Sequence, residues 1–202
     1  LKNYLVSLKT RKEIGDKMGM ANTYNNLGLI YFYQGNYDKT IESYFTSLRI
    51  REEIGDKKGI ADSYNNIGNI YKEQRNYDKA LENYFASLKI QNEIGNKQGI
   101  AASYGNIGNI LLDKTLIQQN PDSIRQLRDK AVENYFASLK TYQEIGDQQN
   151  IALCYNNIGN IYGDQAMAKH NPDSIRQFAD KALENYFASL KIYEAIGYKQ
   201  GI

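Results

Sequence analysis

The string Tyr64-Asn-Asn-Ile-Gly-Asn-Ile-Tyr71 returns, slightly altered, as Tyr24-Asn-Asn-Leu-Gly-Leu-Ile-Tyr31, Tyr104-Gly-Asn-Ile-Gly-Asn-Ile-Leu111 and Tyr155-Asn-Asn-Ile-Gly-Asn-Ile-Tyr162. A string recurring at this interval restricts the chain to a stacked array. Each copy is too short to bury its own apolar face and must use its neighbour. Full repeats run over 20–59, 60–99, 100–150 and 151–201. Residues 1–19 match the second half of an earlier copy, and Ile202 begins another. The expectation is one solenoid over 1–202, read as a piece of a longer protein because it opens and closes inside a repeat.

The apolar period within a repeat is helical. Tyr64, Ile67, Gly68 and Tyr71 fall on one stripe at i, i+3, i+4 and i+7. Asp56 follows Gly55 and reads as the N-cap of this first helix, with the glycine at the positive-φ end of the helix before it. A second helix starts near Tyr77 and carries Ala80, Leu81, Tyr84, Phe85, Leu88 and Ile94 on a broad apolar face. Gly35-Asn36 and Arg75-Asn76 are turns short enough to make the two helices antiparallel. Gly28, Gly68, Gly108 and Gly159 stand in first helices, and Ala80, Ala131 and Ala182 in second helices. Glycine inside a helix costs about 1 kcal/mol relative to alanine, so close backbone approach is the expected compensation.

Numbered from Ala61, these residues put Tyr64 at position 4, Ile67 at 7, Gly68 at 8, Tyr71 at 11, Ala80 at 20, Tyr84 at 24 and Ser87 at 27. That pattern resembles the tetratricopeptide repeat, and the other repeats depart from it only at Leu111 and Thr40. At position 32, where the family often has proline, this chain has Glu52 or Asn92, and the second helix runs on to Ile54 or Ile94. The lengthened form is similar to the forty-residue variety of G-protein-signalling modulators, kinesin light chains and bacterial peptide-sensing regulators. The resemblance implies an all-α fold, a right-handed α-α superhelix of antiparallel helix pairs whose first helices line the concave side. It implies no catalytic activity.

Repeats three and four are eleven residues longer than the others, with the additions inside Asp113 to Arg128 and Asp164 to Ala179. Both contain Asn-Pro-Asp-Ser-Ile-Arg-Gln, in which Asn120 or Asn171 caps a helix and the proline takes its first position. The second helices of these repeats should therefore begin about two turns early. The first should end about one turn late, forming a flange where Leu116, Ile117, Ile124 and Leu127 meet Met167, Ile175 and Phe178. Duplication of one tolerated insertion is the simpler account of its origin.

On the resembled fold, positions 2, 5, 6, 9 and 13 of the first helix lie opposite the packing stripe, on the concave wall. Position 5 is Asn25, Asn65, Gly105 and Asn156; position 6 is Asn26, Asn66, Asn106 and Asn157; position 9 is Leu29, Asn69, Asn109 and Asn160. A carboxamide offers a donor and an acceptor, which is what the main chain of an extended peptide requires. Asparagine is a poor helix former, and a merely solvating face would be better served by Lys, Glu or Gln. These ten asparagines are the candidate ligand-binding residues. The competing account is that they are copied surface, or that some bond between adjacent helices. Family members that clamp a terminal carboxylate carry Lys or Arg at positions 5 and 9, and none stands at 5, 6 or 9 here. Asp62, Glu73, Asp113 and Asp164 favour a neutral or basic segment, with Leu153, Leu112 and Phe32 as apolar anchor points.

A net charge of +2 argues against nucleic acid as partner, and the short apolar runs against a membrane span. The single cysteine, Cys154, is read as a packing residue in a reducing, cytoplasmic compartment. His170, the only histidine, flanks a cap, and no ligand spacing for a metal or nucleophile–base pair is visible, so neither enzyme activity nor a cofactor is expected. The 18 tyrosines mostly occupy repeat packing positions, whereas Tyr33, Tyr142, Tyr193 and Tyr198 fall outside them and are candidates for exposure. Function is thus expected to be protein–protein interaction, as the sensory or scaffolding part of a larger signalling protein. The alternative is self-association, or an internal scaffold for an attached effector domain. Leu1, Leu5 and Leu8 at one end, and Phe187, Leu190 and Ile196 at the other, would support end-to-end stacking.

Overall fold

Helix boundaries are written in caps. The computed structural model describes residues 2–197. Asp16, Asn36, Asp56, Asn76, Asn120, Asp147 and Asn171 each accept a backbone N–H from the first turn of the helix they precede. Gly55 and Gly146, at φ +70° and +73°, close the helices before two of these caps. The result among the described residues is nine helices and no strand: α1 Lys2–Glu13, α2 Lys17–Tyr33, α3 Tyr37–Ile54, α4 Lys57–Glu73, α5 Tyr77–Glu93, α6 Lys97–Thr115, α7 Pro121–Ile145, α8 Gln148–Met167 and α9 Pro172–Ala195. Leu1, Tyr198 and Ile202, including the expected start of a further repeat, lie outside the described residues.

The pairs α2/α3, α4/α5, α6/α7 and α8/α9 pack within repeats. Each pair is antiparallel, because the contacts converge from its open end toward its turn. In repeat one, Lys17 Nζ meets Glu53 at 3.2 Å, Ser47 Oγ donates to the Ala21 carbonyl at 2.8 Å, and the Tyr44 ring lies against Gly28. Lys57–Glu93 and Lys97–Glu144 repeat the ion pair at 3.2 and 2.7 Å. The Lys97 ammonium holds Glu144 below the usual carboxylate range. Such exposed pairs fix register more than they stabilise.

The chain forms two compact units, one ending at Asn96 and one beginning at Lys97. In the first, Tyr44 and Leu48 of α3 pack on Ile67 and Ile70 of α4, with Phe32, Ile41, Ile60, Tyr64 and Tyr71 partly buried around them. In the second, Ile107, Ile110, Tyr135, Leu139, Ile158 and Ile161 are buried. Cys154 is buried there too, and burial pushes its thiol up, away from the reactive thiolate.

The glycines of the first helices face tyrosine rings. A Cβ added at Gly28, Gly68, Gly108 or Gly159 would come within 2.6, 2.8, 3.0 or 2.8 Å of the ring of Tyr44, Tyr84, Tyr135 or Tyr186. That is the close approach the helix propensity cost requires. At the turn between α4 and α5, Arg75 adopts φ 57°, the left-handed conformation that Gly35 supplies in repeat one.

The extensions form helix as expected. α7 has 25 residues, about 37 Å at the usual rise. The flange packs less completely than its sequence suggests: Leu116, Ile117 and Met167 are 80%, 60% and 79% exposed. Leu116 and Ile117 sit beyond the end of α6, in the turn, where no helix covers them. Tyr142 and Tyr193 correct a second expectation, since both are buried and, of the described residues among the four, only Tyr33 is exposed. They lie near the C-terminal ends of α7 and α9, at the place buried Gln91 holds in repeat two, where the packing face continues past the end of the common repeat pattern.

Gly68→Ala should destabilise the chain by about 1–2 kcal/mol, because the Tyr84 ring, 1% exposed, has nowhere to move. Gly163→Ala, whose Cβ would stand 3.5 Å from Tyr186 Oη, should instead gain roughly 0.5–1 kcal/mol from helix propensity. Urea unfolding of the two variants checks this, and equal stabilisation by both would refute the ring-on-glycine constraint.

Candidate functional site

The predicted asparagines all lie on first helices, on residues that leave the packing stripe. In the first unit, Asn25, Asn65 and Asn66 are half-buried while Asn26 and Asn69 are exposed; in the second, Asn106, Asn109, Asn156 and Asn157 are half-buried and Asn160 is exposed. Helical spacing puts positions 5, 6 and 9 on one side of each helix. The faces of α2 and α4 are joined directly, because Asn66 Nδ2 donates to Asn25 Oδ1 at 2.9 Å. Asn65 and Asn106 are also held by interactions.

Position 9 has a partner the sequence reading missed. Tyr84 Oη donates to Asn69 Oδ1 at 2.6 Å, Tyr186 Oη to Asn160 Oδ1 at 2.8 Å, and Tyr135 Oη makes a short bond to Asn109 Oδ1. The tyrosine is the position-24 ring that rests on the position-8 glycine, so its hydroxyl emerges one residue further along the same helix. The signal in the sequence was the pairing of Tyr at 24 with Asn at 9 in three repeats. In repeat one, Leu29 stands at position 9 and offers Tyr44 no acceptor.

The Tyr135 and Tyr186 hydroxyls stay protonated. Burial pushes Tyr135 far above the usual phenol range, with Cys154 and Asp113 adding to the rise. Tyr186 is raised by burial and by Asp164. The carbonyl oxygens of the position-9 carboxamides are therefore occupied, their NH₂ groups are turned to donate, and the Asp113 and Asp164 charges lie within electrostatic range of the same site. Leu29 and Leu153, each 42% exposed, and the half-buried Phe32 and Leu112 supply apolar points.

Among the described residues no group of three or more His, Cys, Asp or Glu is placed to hold a metal, and no helix is long and apolar enough to cross a membrane. His170 is exposed beside the Asn171 cap.

Tyr84→Phe should cost about 1 kcal/mol, and a double-mutant cycle with Asn69→Ala should show coupling of similar size. Tyr44→Phe, facing Leu29, should cost less than half as much. Equal losses at Tyr44 and Tyr84 in denaturant titrations would remove the asparagine as the hydroxyl's partner.

Comparison with known proteins agrees with the fold. The tetratricopeptide-repeat profile matches residues 19–93 and 59–115. Among solved structures, BtubC (BKLC) from P. vanneervenii is similar with a TM-score of 0.67 and 19% identity, over 99% of this chain and 84% of that one. The apo form of RapI is similar with a TM-score of 0.75 and 16% identity, over 96% of this chain and 63% of that one. MamA gives a TM-score of 0.58 at 16% identity, over 98% and 94%. At these identities the likeness is one of fold. No curated protein matches the sequence.

Proposed function

We propose, from the premise that this chain belongs to the tetratricopeptide-repeat family, that its first-helix faces hold an extended polypeptide segment by its main chain. The fold is that of a protein-interaction scaffold; the Asn-lined site, the peptide and a sensory role in a larger cytoplasmic signalling protein are our reading. One array over residues 1–202, with repeats at 20–59, 60–99, 100–150 and 151–201, is part of it.

The observation that carries this reading is asparagine at position 6 of every repeat, as Asn26, Asn66, Asn106 and Asn157, beside position-9 carboxamides fixed by tyrosine. A carboxamide held in place loses little freedom on binding, so its hydrogen bonds to a ligand are retained as affinity. A peptide main chain presents alternating C=O and N–H groups, and these carboxamides donate and accept in turn. The Asn25–Asn66 bond is the strongest argument for a purely structural role. It occupies one donor and one acceptor and leaves the remaining lone pair and hydrogen of each amide.

Asn66, Asn106 and Asn157 changed together to alanine should weaken binding of peptides selected from an array by tenfold or more. Stability should fall only by the worth of the Asn25–Asn66 bond and of the interaction that holds Asn106, about 1 kcal/mol each. N-methylation along a selected peptide should abolish binding, whereas side-chain exchanges away from the anchors should not. Unchanged affinity in the triple variant would overturn the reading.

Self-association is a second reading, favoured by apolar side chains exposed on α1 and α9. Leu5 and Val6 on α1 are 50% and 60% exposed, and Leu183 on α9 is 51% exposed. Light scattering should show mass rising with concentration, and Val6→Glu with Leu183→Glu should suppress the rise. A strictly constant monomer mass would eliminate it.

A further inference from the structure

The second unit contains a cavity of about 530 Å³ between the first turns of α7, the end of α8 and the side of α9. Small-molecule sites have this size. At its wall stands Gln165, only 8% exposed. Its Nε2 donates to Asp129 Oδ1 at 3.4 Å, while its Oε1 is buried and has no hydrogen-bond partner. Asp129 orients the amide: a carboxylate only accepts, so the nitrogen must face it and the oxygen must face elsewhere. A buried acceptor left empty costs about 1–3 kcal/mol. Residues at the same repeat position do not bear this cost, since Gln34 and Gln74 cap shorter helices and are exposed.

The rest of the lining has two further chemistries. Arg125 is committed to Asp122 at 3.0 Å, but Arg128 and Lys169 line the cavity with no ion pair among the described residues. Lys169 Nζ stands 5.4 Å from the centroid of the Phe178 ring, which forms the apolar wall with Ile124. Copying of an insertion does not account for Arg128, because the corresponding residues are Tyr37, Tyr77 and Ala179.

A carboxylate held by a buried amide, two unpaired cations and an apolar wall call for one molecule with an ammonium, a carboxylate and a hydrophobic group. We propose that this cavity binds a free α-amino acid with a large apolar side chain. The ammonium donates to the Asp129 carboxylate, which Gln165 Nε2 holds in place. The α-carboxylate meets Arg128 and Lys169, and the side chain lies against Ile124 and Phe178. Occupancy ties the extended turns of α7 to α8 and α9, so the ligand stabilises the second unit by linkage. This site is separate from the asparagine faces and does not depend on their role.

Calorimetric titration of the whole chain with L-phenylalanine and L-leucine tests it. Both should bind and raise the melting temperature. Phenethylamine, which lacks the carboxylate, and N-acetyl-L-phenylalanine, which lacks the ammonium, should each bind roughly tenfold or more weakly. Gln165→Leu should lose affinity severalfold, since Asp129 is no longer held, while the unliganded protein melts no lower because the orphan acceptor is gone. Arg128→Gln should lose affinity for the amino acids and leave that for phenethylamine unchanged, and exposed Asp129→Asn provides a second variant on the ammonium side. The proposal is overturned if neither amino acid binds at about 10 mM, far weaker than ordinary ligand affinities. It is equally overturned if N-acetyl-L-phenylalanine matches the parent compound, or if Gln165→Leu and Arg128→Gln both bind like the unaltered protein.

Discussion

A tyrosine ring lying on the bare backbone of a glycine sets the geometry of every repeat. With the ring of Tyr44, Tyr84, Tyr135 or Tyr186 against its glycine, the second helix can approach the first closely enough for Ser47, Ser138 and Ser189 to reach the carbonyls of Ala21, Ala101 and Ala152. A methyl group at the glycine would separate the pair and break that register. Dispersion contacts are individually small, so the ring must touch along its whole edge to repay the helix cost of glycine. The same ring carries its hydroxyl out to position 9, so the packing of the core also aims the carboxamides of the face.

Much of this was legible in the sequence because it is local. Asn120-Pro121 and Asn171-Pro172 specify helix starts through one side chain and one fixed φ, and both helices begin there. The arrangement of the asparagines was legible only as a pattern. Their individual hydrogen bonds were not, because Asn25, Asn69 and Asn106 look alike in one dimension and differ in which neighbour reaches them.

Burial that depends on a neighbouring repeat was the least legible. Tyr142 and Tyr193 lie past the last position of the shared pattern, and whether the helix is still covered there depends on what packs beside it. Gln165 is the same letter as Gln34 and Gln74 at the same position, yet two extra turns of α7 and a longer α8 enclose it. The missing information in each case was three-dimensional cover, which neither propensity nor periodicity encodes. Leu116, Ile117 and Met167 show the converse, since an apolar residue at the edge of an insertion finds no partner by being apolar.

The eleven added residues come close to three turns of helix, at 3.6 residues per turn. They enter where the paired helices meet at their closed end, so neither glycine nor tyrosine is rotated out of contact: Gly108 still faces Tyr135, and Gly159 still faces Tyr186. Width and stacking are thereby independent variables in this architecture. An array of this kind can acquire lateral surface, and even a side cavity, without renegotiating the contacts that hold one repeat to the next.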